Sequence, residues 1–210
     1  MFMAAAKELR TLVVTSAGPR EGKTTVALNL AVAFAQSEKR VLVIDTDMRR
    51  PRVHKTFGIK AHVGVSTVIV GESTLADAVQ KTEIPHLSIL PCGPIPPNPS
   101  ELLHHPKFKA MLLEAQETFD LIVLESPPLG PVTDAAIVGP QVDATLLVVR
   151  ADKTTRDALK GMLRQLTDVH AHVIGCVLNG VDLSKGRGGY SGYYQYRREG
   201  YAYTSDDTAA

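Results

Sequence analysis

A short segment near the start of the chain contains the residue types that bind phosphate. Residues 16–25 read Ser-Ala-Gly-Pro-Arg-Glu-Gly-Lys-Thr-Thr and follow an apolar run at 11–15. Consecutive backbone N–H groups in such a loop, together with the first turn of a following helix, form an anion site. Lys23 would reach the β- and γ-phosphates of a nucleotide, and the Thr24 hydroxyl would bind Mg²⁺. The residues predicted to line this phosphate loop are Gly18, Pro19, Arg20, Glu21, Gly22, Lys23, Thr24 and Thr25.

One position departs from the strict phosphate-loop pattern. Glycine is expected six positions before the lysine, and Ala17 stands there as a tolerated variant. The alternative interpretation is a glycine-rich turn that begins a helix and binds no ligand.

Carboxylates follow two other apolar runs. Asp45 and Asp47 follow residues 41–44, and Glu125 follows residues 121–124. Asp45 and Asp47 are spaced i and i+2, which predicts that both point to one side beside the phosphate loop. They could help to hold Mg²⁺ and accept a proton from a hydroxyl nucleophile, and Glu125 would anchor the metal from its outer shell. Turn capping by the aspartates and a solvated Glu125 are the alternatives.

Apolar runs alternate with helical patterns over most of the chain, and this predicts how the motifs are positioned. Strands are predicted at 11–15, 41–44, 87–90, 121–124, 145–149 and 172–178, and helices at 23–36, 74–80, 100–117, 134–139 and 154–167. Strands that are apolar on both faces favour a mostly parallel sheet covered by helices on each side. The sequence therefore predicts a three-layer α/β fold of the P-loop type, with its ligand site beyond the carboxyl ends of the strands. Ser100 is predicted to be the N-cap of the 100–117 helix.

The last part of the sequence has a different composition. After Leu183 there is no Val, Ile, Leu, Met or Phe, whereas all six tyrosines lie there: Tyr190, Tyr193, Tyr194, Tyr196, Tyr201 and Tyr203. A segment without aliphatic residues cannot offset the entropy of ordering itself. We therefore predict a domain at residues 1–183 and a flexible tyrosine-rich tail at 184–210. An RNA-binding tail with stacking tyrosines and a solvated tail without function are the alternatives.

Composition excludes several classes of protein. A net charge of +1 argues against a globally basic nucleic-acid binder. Cys92 and Cys176 are too far apart for a disulfide framework or a structural zinc site. Since there is no secretory signal and no apolar run long enough to cross a bilayer, we expect a cytoplasmic protein, or one held at the inner face of the membrane by a partner.

Together these motifs resemble those of the bacterial tyrosine kinases, which have a P-loop fold and regulate capsule and exopolysaccharide synthesis. The resemblance covers about residues 9–203, and its most specific part is the apolar run followed by Asp-x-Asp-x-Arg at 45–49. It implies ATP and Mg²⁺ as cofactors. It also implies that the tyrosine cluster is autophosphorylated in trans between subunits. The partners that it implies are a membrane-embedded polysaccharide co-polymerase that activates the kinase and a cognate tyrosine phosphatase.

The resemblance also implies roles for individual residues. Lys23 and Thr24 would bind phosphate and Mg²⁺, Asp45 and Asp47 would serve the metal and the incoming tyrosine hydroxyl, and Glu125 would take the third metal-associated position. Thr24, Asp47 and Glu125 are thus the expected metal ligands. Asn179 matches a position that contacts adenine in related ATPases, and a capping asparagine is the alternative.

The chain departs from the family at two places. Its third motif ends in Glu125 where the family has Asp, and residues 7–10 do not match the family's Glu-x-x-Arg-x-x-Arg oligomerisation signature. We expect nucleotide binding to be intact but phosphoryl transfer to be slower than with Asp, and the oligomer number stays open. The partition ATPases related to MinD and ParA are disfavoured, because they carry a second lysine where this chain has Gly18. The alternative function is a catalytically weak or inactive nucleotide-switch ATPase or adaptor of the wider MinD/ParA-like superfamily that acts on a polysaccharide-export partner.

Overall fold

The central element of the molecule is one twisted sheet. The structure, a computed structural model, describes residues 9–182. Within that range seven strands form the sheet in the order β3-β4-β2-β5-β1-β6-β7, and only β3 is antiparallel to its neighbour. The strands are β1 (Thr11–Ser16), β2 (Val41–Asp45), β3 (Gln80–Lys81), β4 (Leu87–Leu90), β5 (Leu121–Glu125), β6 (Ala144–Arg150) and β7 (Val173–Asn179). The predicted mostly parallel α/β sheet is confirmed.

Helices cover both faces of the central strands. Alternate residues of β2 enter different cores: Leu42 and Ile44 pack on the face that contains Phe108, whereas Val41 and Val43 pack on the other face. All four of these apolar side chains are fully buried. Burial of one such side chain contributes about 1.5–3 kcal/mol, so these apolar runs are stable only as buried strands. The three layers therefore follow from the run of apolar residues.

The predicted helix at 100–117 is wrong in its extent, because the structure has two helices there. They are separated by His105, which has the extended torsion angles φ −66° and ψ 138°. Pro106 causes this break, since proline disfavours the α conformation in the residue before it. The prediction of Ser100 as the N-cap is also wrong, because the first of the two helices begins at Pro99 after Asn98. The helices are α1 (Lys23–Gln36), α2 (Val53–Thr56), α3 (Val65–Val70), α4 (Leu75–Ala78), α5 (Pro99–His104), α6 (Pro106–Thr118), α7 (Asp134–Val138) and α8 (Arg156–Asp168).

The other differences concern short elements. The helix predicted at 74–80 is only the single turn α4, because Gln80 and Lys81 instead pair with β4. The sequence pattern does not predict α2 and α3, because these helices have only four and six residues and are too short for a clear helical period.

The outer strand β7 is less covered than predicted. Ile174 and Leu178 are 48% and 53% exposed, so in the described part of the chain β7 lacks the two-sided cover of the inner strands. No helix within residues 9–182 has the length and apolar character needed to cross a bilayer. The six tyrosines and the predicted tail lie outside the described residues.

Candidate functional site

The ends of three central strands place the predicted motifs together. β5 lies between β1 and β2, and Glu125 is in register with Asp45 of β2 and with Val14 of β1. The loop after β1 leads into α1, which begins at Lys23. Because parallel strands present their carboxyl ends at one edge, Lys23, Asp47 and Glu125 meet although they come from separate parts of the sequence.

Gly22 gives the phosphate loop its final turn. Its backbone is left-handed, with φ +98°, and a Cβ atom at this position would lie 1.9 Å from the Asn179 Nδ2 atom. A side chain is therefore excluded both by conformation and by the approach of Asn179. The Asn179 Nδ2 donates to the Glu21 backbone carbonyl at 2.9 Å, so the end of β7 contacts the loop directly.

A buried ion-pair cluster lies at the start of α1. Lys23 Nζ lies 3.2 Å from Asp47 Oδ2 and also contacts Glu125 Oε1. The Thr24 hydroxyl donates to the same Glu125 oxygen at 2.6 Å. Glu125 is 1% exposed. Its carboxylate therefore joins the two residues that the sequence assigns to phosphate and metal.

Burial and charge act in opposite directions in this cluster. Burial by itself lowers the pKa of the Lys23 ammonium, but the carboxylates of Glu125 and Asp47 more than offset this, and the pKa is raised. Burial raises the pKa of the Glu125 carboxyl, although Lys23 and Thr24 oppose the shift. Lys23 and Glu125 thus both hold their protons more tightly than the same groups would in water.

The two aspartates do not face the same way. The fully buried Asp45 accepts backbone N–H bonds from Asp47 at 3.2 Å, from Arg52 at 3.1 Å and from Val53 at 3.0 Å. Burial, with a further contribution from the charge of Glu125, raises the pKa of Asp45 to about 7. Asp47 directs Oδ2 to Lys23 and accepts from the Arg50 N–H at 2.9 Å. The expectation that both carboxylates point to one side is therefore wrong, because Asp45 turns towards the start of α2.

Three polar contacts near the site were not predicted from the sequence. The Arg49 guanidinium makes a two-pronged ion pair with the fully buried Asp134, at 2.8 and 3.0 Å, and Ser100 donates to the same carboxylate at 2.8 Å. The Glu21 carboxylate, in the phosphate loop, accepts from the Gly18 N–H at 2.9 Å. No sequence spacing indicated the Arg49 contact, since its partner is 85 positions away.

The oxygen atoms of the cluster suit a hard divalent cation. Thr24, Asp47 and Glu125 provide one hydroxyl and two carboxylates, the ligand types that Mg²⁺ prefers. Within residues 9–182 no group of three or more His, Cys, Asp or Glu side chains is arranged to hold a metal by itself. A set of one hydroxyl and two carboxylates is typical of Mg²⁺ that is also bound by water and substrate phosphates.

Comparison with known proteins identifies the family. Residues 14–175 match the model of an AAA domain. The tyrosine-protein kinase YwqD of Bacillus subtilis is 39% identical over 184 residues, which are 88% of this chain and 78% of that protein. The tyrosine-protein kinase wzc of Salmonella typhimurium is 36% identical over 88% of this chain, but the match spans only 26% of that longer protein.

A solved structure gives the same result. The kinase domain of the Escherichia coli tyrosine kinase ETK superposes with a TM-score of 0.82 at 34% identity, over 87% of this chain and 71% of that one. Residues 14–175, which match the AAA domain, contain the phosphate loop, both aspartates and Glu125. On sequence and fold alike, the chain belongs to the family of bacterial tyrosine-protein kinases.

Proposed function

We propose that this chain is an ATP- and Mg²⁺-dependent protein-tyrosine kinase that phosphorylates its own C-terminal tyrosine cluster and thereby regulates exopolysaccharide or capsule synthesis and export. One observation carries the proposal: Lys23, the Thr24 hydroxyl, Asp47 and Glu125 converge in a single buried cluster at the carboxyl edge of the sheet.

Nucleotide binding would use the phosphate loop and the residues on either side of it. The loop N–H groups and the start of α1 would hold the phosphates, and Lys23 would exchange its carboxylate partners for the β- and γ-phosphates. Asn179 lies against the loop, and its amide oxygen can accept from the exocyclic amine of adenine. The Gly18 N–H already donates to Glu21, so we assign Gly18 to the shape of the loop.

Thr24, Asp47 and Glu125 would hold Mg²⁺ together with phosphate oxygens. The metal supplies charge neutralisation on the transferred phosphoryl group. For this to occur, Thr24 must release the Glu125 oxygen that it contacts at 2.6 Å. Binding of nucleotide and rearrangement of Glu125 are therefore coupled in our proposal.

The acceptor tyrosine needs a base, because its hydroxyl has a pKa of about 10 in water. Asp47 is the better candidate of the two aspartates, since it lies beside Lys23 and would meet the γ-phosphate. The carboxylate of Asp45 is already occupied by three backbone N–H groups. We assign Asp45 to holding the loop that carries Asp47.

The proposed acceptors are Tyr190, Tyr193, Tyr194, Tyr196, Tyr201 and Tyr203. About ten extended residues reach roughly 33 Å, which is enough to enter the site of a neighbouring subunit. Residues 184–210 contain four basic and three acidic residues, and phosphorylation of all six tyrosines would add about −9 to −12 charges. We infer that this change of sign releases whatever holds the unmodified tail.

The remaining parts of the proposal concern partners and location. A membrane-embedded co-polymerase would activate the kinase at the inner face of the membrane, and a cognate phosphatase would reset the tail. Self-association would allow transfer in trans. No nucleic acid is expected to bind.

Incubation with Mg-ATP followed by phosphotyrosine detection and mass spectrometry tests the proposal. We expect phosphate on the six tail tyrosines, none in Lys23→Met, and normal labelling in Lys109→Met, which changes an exposed lysine of α6. Absence of phosphotyrosine in the unaltered chain, with its activator's cytoplasmic segment present, would contradict the proposal.

The second candidate is a nucleotide-switch protein without transfer activity. The observation that favours it is the contact of Glu125 with both Lys23 and Thr24, which occupies the groups that transfer requires. Saturable binding of Mg-ATP without phosphotyrosine formation would support this candidate over the kinase.

A further inference from the structure

A second loop lies against the outside of the phosphate loop. Residues 150–154 comprise the end of β6 and the loop that leads to α8, and three of their side chains donate hydrogen bonds to the phosphate loop. These are Arg150 Nη1 to the Arg20 carbonyl at 2.9 Å, Lys153 Nζ to the Pro19 carbonyl, and Thr154 Oγ1 to the Glu21 carboxylate at 2.6 Å. The mechanism proposed above does not use any of these contacts.

Glu21 is the centre of this arrangement. It is only 3% exposed, and the contacts described for its carboxylate are to neutral donors. One oxygen accepts from the Gly18 N–H at 2.9 Å, and the other accepts from Thr154 at 2.6 Å. A buried carboxylate held in this way connects the first half of the phosphate loop to the β6–α8 loop.

The direction of the Thr154 bond is determined by a third contact. The Thr154 oxygen accepts from the Arg150 backbone N–H at 2.8 Å. Its hydroxyl proton is then directed to the Glu21 carboxylate. An ionised carboxylate has acceptor oxygens but no hydrogen-bond donor. Glu21 therefore needs two acceptor oxygens, a requirement that glutamate meets and glutamine does not.

The phosphate loop needs such support because its backbone is strained. Arg20 has φ +63°, a left-handed conformation that costs a non-glycine residue of the order of 1 kcal/mol. In a loop without these contacts, that cost would favour other conformations of Arg20. The contacts to Pro19, Arg20 and Glu21 hold the strained turn between two fixed elements.

We propose that Glu21 and Thr154 are positioning residues that keep the phosphate loop in its nucleotide-binding shape before the nucleotide arrives. The inference rests on the proposed function, since it assumes that the loop binds Mg-ATP. Preorganisation of this kind lowers the entropy lost on binding. It would therefore act on nucleotide affinity and leave the rate of the bound complex unchanged.

Titration with a fluorescent ATP analogue and Mg²⁺, together with steady-state kinetics, tests the proposal. For Thr154→Val we expect affinity to fall about tenfold, the scale of one lost hydrogen bond to a carboxylate, with KM raised and kcat retained. Thr154→Ser keeps the hydroxyl and should restore affinity to within about twofold. Glu21→Gln should match Thr154→Val, and the double variant should be no weaker than Glu21→Gln.

Two further measurements separate positioning from general stability. Thr167→Val removes an exposed hydroxyl of α8 that bonds only within its helix, and it should change neither affinity nor melting temperature. In the nucleotide-free chain, amide exchange at Gly18 should accelerate in Thr154→Val and Glu21→Gln, whereas exchange within α1 should stay the same.

The outcomes are distinct. Unchanged affinity in both Thr154→Val and Glu21→Gln would overturn the inference while leaving the proposed function in place. A large drop in melting temperature in both variants would also overturn it, because the two side chains would then support the whole domain. No binding by the unaltered chain would instead overturn the proposed function, and the inference with it.

Discussion

Shortening Glu125 to aspartate tests the contact between this carboxylate and the Thr24 hydroxyl. In the structure one Glu125 oxygen accepts from the Thr24 hydroxyl at 2.6 Å and also contacts Lys23. Loss of one methylene withdraws the carboxylate by about 1.5 Å. The Thr24 contact would then stretch to about 4 Å, beyond the range of a hydrogen bond.

The expected change in Mg-ATP affinity follows from the hydrogen bond between Thr24 and Glu125 that the nucleotide must break. A hydrogen bond to a charged group contributes about 1.5–3 kcal/mol, and the nucleotide-free Glu125 chain has this contact whereas the Mg-ATP complex would not. Glu125→Asp should therefore bind Mg-ATP about tenfold more tightly, since 1.4 kcal/mol corresponds to a factor of ten. The nucleotide-free variant should unfold at a lower temperature for the same reason.

The assay compares two matched substitutions. Affinity is measured by titration with a fluorescent ATP analogue and Mg²⁺, and transfer by the initial rate of tail phosphorylation, which we expect to rise because the shorter acid suits the geometry of Mg²⁺. Glu114→Asp changes an exposed residue of α6 and should leave both quantities unchanged. Equal or weaker nucleotide affinity in Glu125→Asp would refute the reasoning about the Thr24 contact, and an unchanged rate would refute the reasoning about transfer.

Three other substitutions have expected outcomes. Gly22→Ala places a Cβ atom 1.9 Å from Asn179 Nδ2 in a left-handed turn. We expect at least 100-fold weaker nucleotide binding in the same titration, equivalent to about 2.8 kcal/mol. An affinity near that of the unaltered chain would contradict this expectation. The pKa of Asp45 is raised to about 7 in the folded chain, so folding favours the protonated carboxyl. The metal-free chain should therefore lose stability as the pH rises from about 4 to 7. This group would contribute a loss of up to about 1.4 kcal/mol per pH unit. Asp45→Asn should remove that part of the slope in urea unfolding, and an unchanged slope would show that Asp45 does not titrate there. Arg49→Ala leaves the buried Asp134 without its half-exposed cation and should lower the free energy of unfolding by about 1–3 kcal/mol. A loss below about 0.5 kcal/mol, typical of a surface substitution, would count against a supporting role for this pair.

The sequence was sufficient to predict the sheet and the meeting point of its motifs. Runs such as 41–44 are apolar at every position, so they can be stable only inside a sheet covered on both faces. In a parallel sheet the residue that follows each run comes to the same edge. Lys23, Asp47 and Glu125 could therefore be assigned to one site before the structure was known.

Predictions from local sequence were less reliable where helical periodicity and the proline rule disagreed. The helical pattern at 100–117 continues through Pro106, so periodicity predicts one helix there, whereas proline restricts the residue before it. The structure follows the proline rule at His105. The single turn α4 and the short strand β3 show the same limit, because so few residues have no period to detect.

Only the tertiary structure decided how individual polar groups are paired. Thr154 and Glu21 are 133 positions apart, and Arg49 and Asp134 are 85 apart. The orientation of Asp45, too, depends on where the backbone of α2 begins. Burial of an apolar run can be predicted from the run itself, because the hydrophobic effect has no direction. A hydrogen bond requires two particular atoms at about 3 Å with correct alignment, and that condition is met only when distant segments have taken their places in the fold.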